Sequence, residues 1–324
     1  MNINNKNLKN IIINSGNLKK KEKCLIIFDN STIRVALQFI RYLKINNYYN
    51  NYCKEKIGSS HGTKISSLCL RKMLNSNLVI CLTKLSRAHT KARYLANKNG
   101  IRFLSLPQFS NKILRHKSCS INFKKNLPIA NKIKNALDKS SKIKIISKKG
   151  TYLNLYINTR FANAHPGFVN DKILLASPPD SEVNICPIED KSNGIICVDG
   201  SVTSENIGKV HSLIFLHIKK GKIFKVETKK KKYKQLLLNI FDNLKKNSKK
   251  IILSEFGVGL NKKAKLIGNM LIDEGAIKTI HFGFGSNFSL GGRVKINFHM
   301  DFICKDHTVI LDGRTIILNG NIVL

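Results

Sequence analysis

The sequence predicts an α/β fold, in which an N-terminal Rossmann-like α/β domain is followed by an α+β metal-binding domain. Two observations predict this class. In the first half, short apolar runs alternate with amphipathic segments, which is typical of a parallel sheet covered by helices. From about residue 141 the chain instead alternates strands and turns, with acidic residues and histidines near strand ends. A chain of 324 residues is long enough for two domains of ordinary size.

The first half follows a strand–helix order. An apolar run that ends in Asp29 indicates a buried strand with a carboxylate at its end, and helical apolar spacing follows it. The predicted elements are a strand at 23–30, a helix at 32–44, a strand at 78–82, a helix at 91–98 and a strand at 101–106. The segment lacks a G-x-G-x-x-G motif, so a dinucleotide site is not supported. We therefore predict a Rossmann-like domain at residues 23–140.

The second half is predicted to be an α+β domain over residues 141–324, which would carry the catalytic site. Glycine-centred turns separate its apolar runs, as in hairpins. The predicted elements are a hairpin at 143–157, a strand at 194–200, a hairpin at 212–227, a helix after the lysine run at 229–232, a strand at 251–253, a helix at 261–273, strands at 278–284 and 295–303, and a terminal hairpin that turns at Asp312-Gly313.

Residues 1–22 are polar and basic, and their only apolar run is Ile11-Ile12-Ile13. That run is too short for the core of a signal peptide, so we expect a disordered basic tail. No stretch approaches the about 18 apolar residues of a membrane span, and no membrane partner is expected. The 8 cysteines form no C-x-x-C motif. They are typical of reduced core thiols and predict a cytoplasmic protein.

The chain is strongly basic, with 57 Lys and Arg against 19 Asp and Glu, and a net charge of +38. Such a charge raises the possibility of nucleic-acid binding. Lysine, asparagine and isoleucine dominate, and they share A/T-rich codons, whereas arginine is scarce. A phosphate-binding surface more often uses arginine, because its guanidinium forms paired hydrogen bonds. We therefore attribute the charge to drift in base composition and do not expect a nucleic-acid partner.

Acids and histidines near strand ends are the candidate functional residues. Side chains alternate across a strand, so His299 and Asp301 share one face, and His281 lies opposite an apolar face of its own strand. Glu255 follows a predicted strand, and Glu182 enters another. Imidazoles and carboxylates are the ligands of a divalent cation, and of two cations where one carboxylate bridges them.

Several blocks of the sequence resemble the aminopeptidase T-type metallopeptidases, the thermophilic or leucyl aminopeptidase T family, and in particular its short bacterial and archaeal members. The blocks run in family order over residues 23–324. They are Ser181–Pro187, Asn193–Ser201, Glu255–Asn261, Thr279–Gly285 and His299–Asp301 in the second half, and Ser86–Arg93 and Gly100–Pro107 in the first.

This resemblance implies a homodimeric hydrolase that removes N-terminal residues from peptides or cleaves a related amide. It implies two divalent ions per chain (Zn, Co, Mn or Mg), held by residues at the matching positions, which are Glu182, Glu255, His281, His299 and Asp301. As a hypothesis, Glu255 bridges the ions and Glu182 is the general base. Phe288 stands where the peptidases have a functional Tyr, and a phenyl ring can neither ligate a metal nor donate a hydrogen bond.

A second branch of the superfamily, the mononuclear Fe(II) 2,5-dihydroxypyridine dioxygenases, is similar to the same end of the chain. That branch shares the His-x-Asp pair but has a His where this chain has Glu255, and it lacks equivalents of Glu182 and His281. The carboxylate-rich set therefore favours hydrolysis, and Fe(II)-dependent ring cleavage is the alternative. A basic protein without catalysis would not explain the order of the acids and histidines. A third interpretation is a metal-binding protein that has lost its activity, because Phe288 replaces the functional Tyr of the peptidases.

Overall fold

The computed structural model describes residues 3–204, 206–246 and 251–324. Within them the α-helices are α1 (Ile3–Lys9), α2 (Ile33–Ile45), α3 (Ser67–Leu74), α4 (Lys91–Lys98), α5 (Asn111–Arg115), α6 (Leu127–Asp138), α7 (Lys231–Lys246) and α8 (Met270–Asp273). The strands are β1 (Lys23–Phe28), β2 (Tyr49–Lys54), β3 (Leu78–Leu82), β4 (Arg102–Ser105), β5 (Lys142–Ile146), β6 (Tyr152–Tyr156), β7 (Asn163–His165), β8 (Leu175–Ala176), β9 (Glu182–Ile185), β10 (Asn193–Val198), β11 (Ser201–Val202), β12 (Gly208–Lys209), β13 (Ile214–Lys219), β14 (Lys222–Thr228), β15 (Leu253–Gly259), β16 (Thr279–Gly285), β17 (His299–Lys305), β18 (Thr308–Leu311), β19 (Arg314–Leu318) and β20 (Asn321–Ile322).

The first of two compact units contains the chain up to Asn126, with His165–Ser181 and Asn261–Ala264. Its sheet is parallel and has the strand order β2-β1-β3-β4-β8. The chain passes from β1 to one side for β2 and then returns to the other side for β3, which is the doubly wound arrangement. The two central strands, β1 and β3, are almost entirely buried, as expected of a parallel sheet covered on both faces.

The second unit contains Leu127–Ala164, Glu182–Leu260 and Lys265–Leu324, and it carries two sheets with antiparallel pairing. One has the order β14-β13-β10-β6-β5-β18-β19-β20, and the other has the order β12-β11-β17-β16-β15-β9-β7. Both sheets contribute to one apolar core, which α6 and α7 also join. The predicted α/β fold, with an α+β arrangement of the second half, is confirmed.

The N-terminal tail differs from the expected disorder. Residues 3–15 form α1 and a π-helical turn, while residues 1 and 2 lie outside the described residues. Leu8, Ile11 and Ile12 are at most 2% exposed. Asn7 and Asn10 donate side-chain hydrogen bonds to backbone carbonyls of the same unit. The polar composition conceals this, because a few apolar residues on one helical face are enough to anchor a short segment.

The boundaries of the two units also differ from the expected split at residue 140. Helix α6 belongs to the second unit, because its Ala130, Ile133 and Leu137 lie in the core of that unit. Conversely, β8 pairs with β4 and so completes the parallel sheet of the first unit. Each unit is therefore assembled from separate stretches of chain, which a linear pattern of apolar residues does not reveal.

Two predicted elements around the site need correction. The strand expected at 251–253 begins at Leu253 and continues to Gly259, so Glu255 lies within β15 and not beyond its end. The helix expected at 261–273 is reduced to α8. Every cysteine is unpaired and buried, as expected of core thiols. Among the described residues, no helix has both the length and the apolar character that a membrane crossing requires.

Candidate metal centre

The candidate residues lie on four neighbouring strands of the seven-stranded sheet, in the order β17-β16-β15-β9. Alternation along each strand brings one set of side chains to one face of the sheet, and this set consists of Glu182, Glu255, His281, His299 and Asp301. Phe256, Phe282 and Phe302 point to the opposite face and belong to the apolar core. The sequence prediction that the histidines lie opposite an apolar face therefore holds in the structure.

The first group of possible ligands is Glu182, Glu255 and His281, and all three are buried. The Nε2 atom of His281 lies 3.1 Å from Oε2 of Glu182 and 3.6 Å from Oε1 of Glu255. With bonds of about 2.1 Å, neighbouring ligands around one cation are about 3.0 Å apart in octahedral and about 3.4 Å apart in tetrahedral coordination. The group therefore has the spacing that a divalent cation requires.

The second group is Glu255, His299 and Asp301. The Nε2 atom of His299 lies 3.0 Å from Oδ1 of Asp301 and 3.1 Å from Oε2 of Glu255. The His299 side chain is 30% exposed, whereas that of His281 is 1% exposed. Only the second group is therefore open to solvent on one side. Glu255 belongs to both groups, and among the described residues no group of three includes both histidines.

Two glycines make room for these side chains. Gly257 lies opposite His281 in the pairing of β15 with β16, and a Cβ atom there would approach the imidazole ring to 2.1 Å. Gly283 lies between Glu255 and Asp301 in the same sheet, and a Cβ atom there would lie 2.6 Å from Nε2 of His299. The floor of the site is therefore backbone, which leaves the space above it to the ligand side chains.

The electrostatics of the site favour charged side chains. Burial alone would raise the pKa of Glu255, but hydrogen bonds and the charges of His281 and His299 outweigh it and hold the pKa well below the usual range. Burial alone would lower the pKa of each histidine. The carboxylates of Glu182 and Glu255 instead raise the pKa of His281 well above 6.5, and Asp301 and Glu255 do the same for His299. The carboxylates therefore stabilise positive charge between them. In the metal-free protein that charge is carried by protons on the two imidazoles.

Three further residues orient the candidate ligands. Nδ1 of His299 donates to the carbonyl oxygen of Ser286 at 3.1 Å, which leaves Nε2 directed at the carboxylates. The Thr203 hydroxyl accepts from the backbone N–H of Asp301 at 2.8 Å. Asn184 donates to Oε1 of Glu182 at 2.8 Å. Sequence reasoning missed all three, although Asn184 could have been found, since it lies two positions after Glu182 on the same strand face.

One buried carboxylate oxygen tests whether a cation fits. Among the described residues, Oε2 of Glu182 is buried and has no well-directed hydrogen bond, and it lies 3.1 Å from Nε2 of His281. A buried carboxylate oxygen without such a bond is costly unless a cation compensates it. Imidazole and carboxylate donors suit borderline and hard divalent metals. The donor set therefore fits a divalent metal ion.

Two other features bear on the assignment. Phe288 lies on a short 3₁₀ turn after β16 and is 58% exposed. A further cluster in the first unit, Cys53, Glu55 and Cys69, also has ligand-like spacing. Its carboxylate is already used, because Glu55 accepts hydrogen bonds from both the hydroxyl and the backbone N–H of Ser66. We therefore place the candidate metal centre on the seven-stranded sheet alone.

Comparisons with known proteins agree with this architecture. The chain is similar to the structure of the 2,5-dihydroxypyridine dioxygenase from Pseudomonas putida KT2440, with a TM-score of 0.78 and 16% identity over 99% of this chain and 96% of that one. It is also similar to wild-type AmpT from Thermus thermophilus, with a TM-score of 0.66 and 12% identity over 99% of both chains. At these identities the similarity establishes the fold alone. No curated protein sequence matches the chain.

A family model gives the more specific result. The model of NicX, 2,5-dihydroxypyridine 5,6-dioxygenase, matches residues 36–324, which is most of the chain. The family match therefore favours the dioxygenase branch over the aminopeptidase T-type resemblance that the sequence blocks suggested. The chain belongs to the NicX, 2,5-dihydroxypyridine 5,6-dioxygenase, family.

Proposed function

We propose that this protein is a ring-cleaving dioxygenase, which acts on a dihydroxylated pyridine or a closely related nitrogen heteroaromatic and holds one Fe(II) ion with Glu255, His299 and Asp301. The observation that carries the proposal is the partial exposure of His299 in a group whose other two members are buried carboxylates. A catalytic metal needs a side open to substrate. Membership of the NicX family supports ring cleavage as the reaction.

The three side chains suit Fe(II), which takes imidazole and carboxylate ligands and, with three protein ligands, keeps positions for substrate and dioxygen. The group departs from the usual set of two histidines and one carboxylate, because Glu255 supplies a second carboxylate. When bound, the iron supplies the one-electron chemistry that dioxygen needs before it can react with an aromatic ring. The chain itself supplies orientation and proton transfer.

The orientation comes from the residues behind the ligands. Ser286 fixes the His299 ring through Nδ1, and Thr203 holds the backbone of Asp301. Outer partners of this kind commonly change metal affinity or activity by roughly 10- to 100-fold when they are removed. Gly257 and Gly283 leave room for the imidazole rings of His281 and His299, so these rings can lie close to the sheet and beside the carboxylates.

His281 is the candidate for proton transfer. Its imidazole is 1% exposed and lies between the carboxylates of Glu182 and Glu255, which raise its pKa well above 6.5. We expect Nε2 to hold a proton at neutral pH and to exchange it with a substrate hydroxyl through the carboxylates. In this proposal Glu182 positions His281 and does not bind the iron.

The proposal is tested by loading the purified protein with Fe(II) without oxygen and adding 2,5-dihydroxypyridine with ¹⁸O₂. We expect oxygen uptake that depends on the substrate, and a ring-opened product that contains both labelled atoms. The His299→Ala variant should give neither. Absence of oxygen uptake by iron-loaded protein, tested also with other dihydroxypyridines, would overturn the proposal.

A second candidate function is the two-metal hydrolysis of a peptide or amide. One specific observation favours it: Glu182 and His281 form a second ligand group that shares Glu255, as a bridging carboxylate would. Two cations would then lower the pKa of a bound water and polarise the amide carbonyl. In this alternative Glu182 is the general base. The exposed Phe288 counts against it, because it cannot replace the Tyr of the peptidases.

Metal content separates the two candidates. One iron per chain with oxygen uptake supports the dioxygenase. About two Zn, Co or Mn ions per chain, together with anaerobic release of an N-terminal residue from aminoacyl amides, supports the hydrolase. Both assays use the same purified full-length protein, so their results can be compared directly.

A further inference from the structure

We propose that Asn287 is a positioning residue for the metal centre, because it fixes the peptide group whose carbonyl holds the His299 ring. The inference rests on the proposed metal site but not on the reaction performed there. Asn287 is fully buried and belongs to the connection between β16 and β17, at residues 286–298. It is not itself within either group of candidate ligands.

The link begins at the imidazole of His299. Its Nδ1 donates to the Ser286 carbonyl at 3.1 Å, while Nε2 lies 3.0 Å from Oδ1 of Asp301. The ring therefore has one hydrogen bond that points away from the site and one edge that points into it. A shift of the Ser286 carbonyl would rotate the ring and move Nε2 away from the carboxylates.

The carbonyl of Ser286 and the N–H of Asn287 belong to the same peptide plane. That N–H donates to the carbonyl of Val294 at 3.0 Å, on the far side of the connection. The backbone N–H of Ser286 donates to the carbonyl of Phe298 at 2.9 Å. The Ser286 N–H belongs to the preceding peptide group, so the two bonds fix two successive peptide groups. In the Ser286–Asn287 plane the N–H points to Val294, and the carbonyl on the opposite side points to His299.

The Asn287 side chain makes hydrogen bonds across the 286–298 connection and to a neighbouring segment. Its Oδ1 accepts from the backbone N–H of Val294 at 2.8 Å, and its Nδ2 donates to Oε1 of Glu189 at 3.0 Å and to Sγ of Cys186 at 3.2 Å. The packing is close, because a Cβ atom at Gly292 would lie 2.0 Å from the Asn287 side chain. Among uncharged side chains, only the primary amides of Asn and Gln offer an acceptor together with two donors, and Gln is one methylene longer.

Glu189 also links the 286–298 connection to Arg160, which lies in another part of the chain. Its Oε1 also accepts from the backbone N–H of Arg293 at 2.7 Å, and its Oε2 lies 2.6 Å from Nη2 of Arg160. Arg160 in turn donates to the carbonyl of Gly291. Both ends of the 286–293 stretch are therefore tied to one carboxylate, and Asn287 is the residue that transmits this constraint to Ser286.

The test is a titration of the full-length metal-free protein with Co²⁺, followed by visible absorption, which reports both affinity and coordination geometry. We expect Asn287→Ala to weaken Co²⁺ binding by roughly 10- to 100-fold and to change the spectrum of the bound ion. Glu189→Gln keeps an acceptor oxygen for Asn287, so its Co²⁺ affinity and spectrum should be closer to those of the unmodified protein. Combining Asn287→Ala with Glu189→Ala should add little to either single change, because both act through one connection.

Asn10→Ala is the matched control. Asn10 is also buried, and its amide makes two donor bonds to backbone carbonyls and one acceptor bond from Asn14. It should lower the thermal midpoint about as much as Asn287→Ala while it leaves Co²⁺ affinity and spectrum unchanged. If Asn287→Ala binds Co²⁺ as tightly as the unmodified protein, the inference about Asn287 is wrong but the metal site is not affected. Failure of the unmodified protein to bind Co²⁺ would overturn both the inference and the metal site.

Discussion

The Nε2 atom of His299 lies 3.1 Å from Oε2 of Glu255, although these residues belong to strands that are separated by a third. Side chains on alternate strands of a sheet are ordinarily too far apart to touch. They meet here because the position between them on β16 is Gly283, which has no side chain to occupy the gap. The geometry of the site thus depends on a missing side chain as much as on the ligands.

Gly283→Ala tests this dependence. The added Cβ atom would lie 2.6 Å from Nε2 of His299 and 2.9 Å from Oδ1 of Asp301, so these side chains must move. We expect metal affinity to fall by at least about tenfold, and the free energy of unfolding to fall by about 1–3 kcal/mol. Isothermal titration with Co²⁺ and thermal unfolding measure the two effects.

Ile280→Val on the same strand is the control for that change. Ile280 faces the core and is 2% exposed, and the loss of one methylene there should cost about 0.5–1.5 kcal/mol. Metal affinity should stay unchanged, because the other face of the sheet is not disturbed. If Gly283→Ala binds Co²⁺ as tightly as this control, the glycine floor is not required.

Glu255→Gln should remove metal binding more completely than any other single change. Glu255 belongs to both ligand groups, and the amide keeps its volume but not its charge. We expect affinity for Fe²⁺ or Co²⁺ to fall by roughly 100-fold or more, together with loss of turnover. Glu227→Gln, at an exposed carboxylate paired with His217 and Lys225, should change neither. Retained metal binding in Glu255→Gln would exclude Glu255 as a ligand.

Much of this site could be predicted from the sequence, because strand periodicity is local. The alternation around His281 and around His299 is visible in a few residues, and it placed each histidine opposite an apolar face. Glu182 and Glu255 are candidates from their positions at predicted strand ends, and the family blocks match the same two residues. The structure brings all of these residues together on one sheet face.

What the sequence did not reveal depends on the neighbouring strands. The contact of Ser286 with His299 and the space above Gly283 arise from strand register, which no local pattern specifies. From the sequence alone, the extra carboxylates favour hydrolysis over ring cleavage. The family match over residues 36–324 favours ring cleavage instead, so side-chain type alone did not determine the branch.

The N-terminal segment offers a test of buried structure where disorder was expected. Ile12 is fully buried in the π-helical turn, so Ile12→Ala should lower the free energy of unfolding by about 2–5 kcal/mol. Ile3→Ala, at a position that is 52% exposed, should change it by less than about 0.5 kcal/mol. Chemical denaturation measures both. A disordered tail would instead give equal, negligible changes.

Metal binding should become tighter as the pH rises, over a range that extends above the usual histidine pKa of 6.5. The carboxylates raise the pKa values of His281 and His299, so in the metal-free protein protons compete for Nε2. Below the raised pKa values, each released proton adds up to about tenfold in affinity per pH unit. Dissociation constants for Co²⁺ between pH 6 and pH 9 measure this, and an affinity that levels off at about pH 7 would contradict it.

The same shifts predict the pH dependence of the metal-free protein. A histidine whose pKa is raised on folding stabilises the fold below its unfolded pKa of 6.5, and this contribution is lost as the pH rises through the folded value. Without metal, the free energy of unfolding should therefore decline above neutral pH. Added metal should reverse the decline, because binding then replaces the lost protons.

His281→Ala separates the one-metal site from the two-metal site. If iron is held by Glu255, His299 and Asp301, the variant should keep about one iron per chain, because His281 is not in that group. Its turnover should fall by roughly 10²- to 10⁴-fold, as expected when a proton-transfer group is lost. Metal analysis beside oxygen uptake gives both quantities. Loss of one of two bound ions would instead assign His281 as a ligand and favour the hydrolase, since a proton donor can be removed without changing metal stoichiometry.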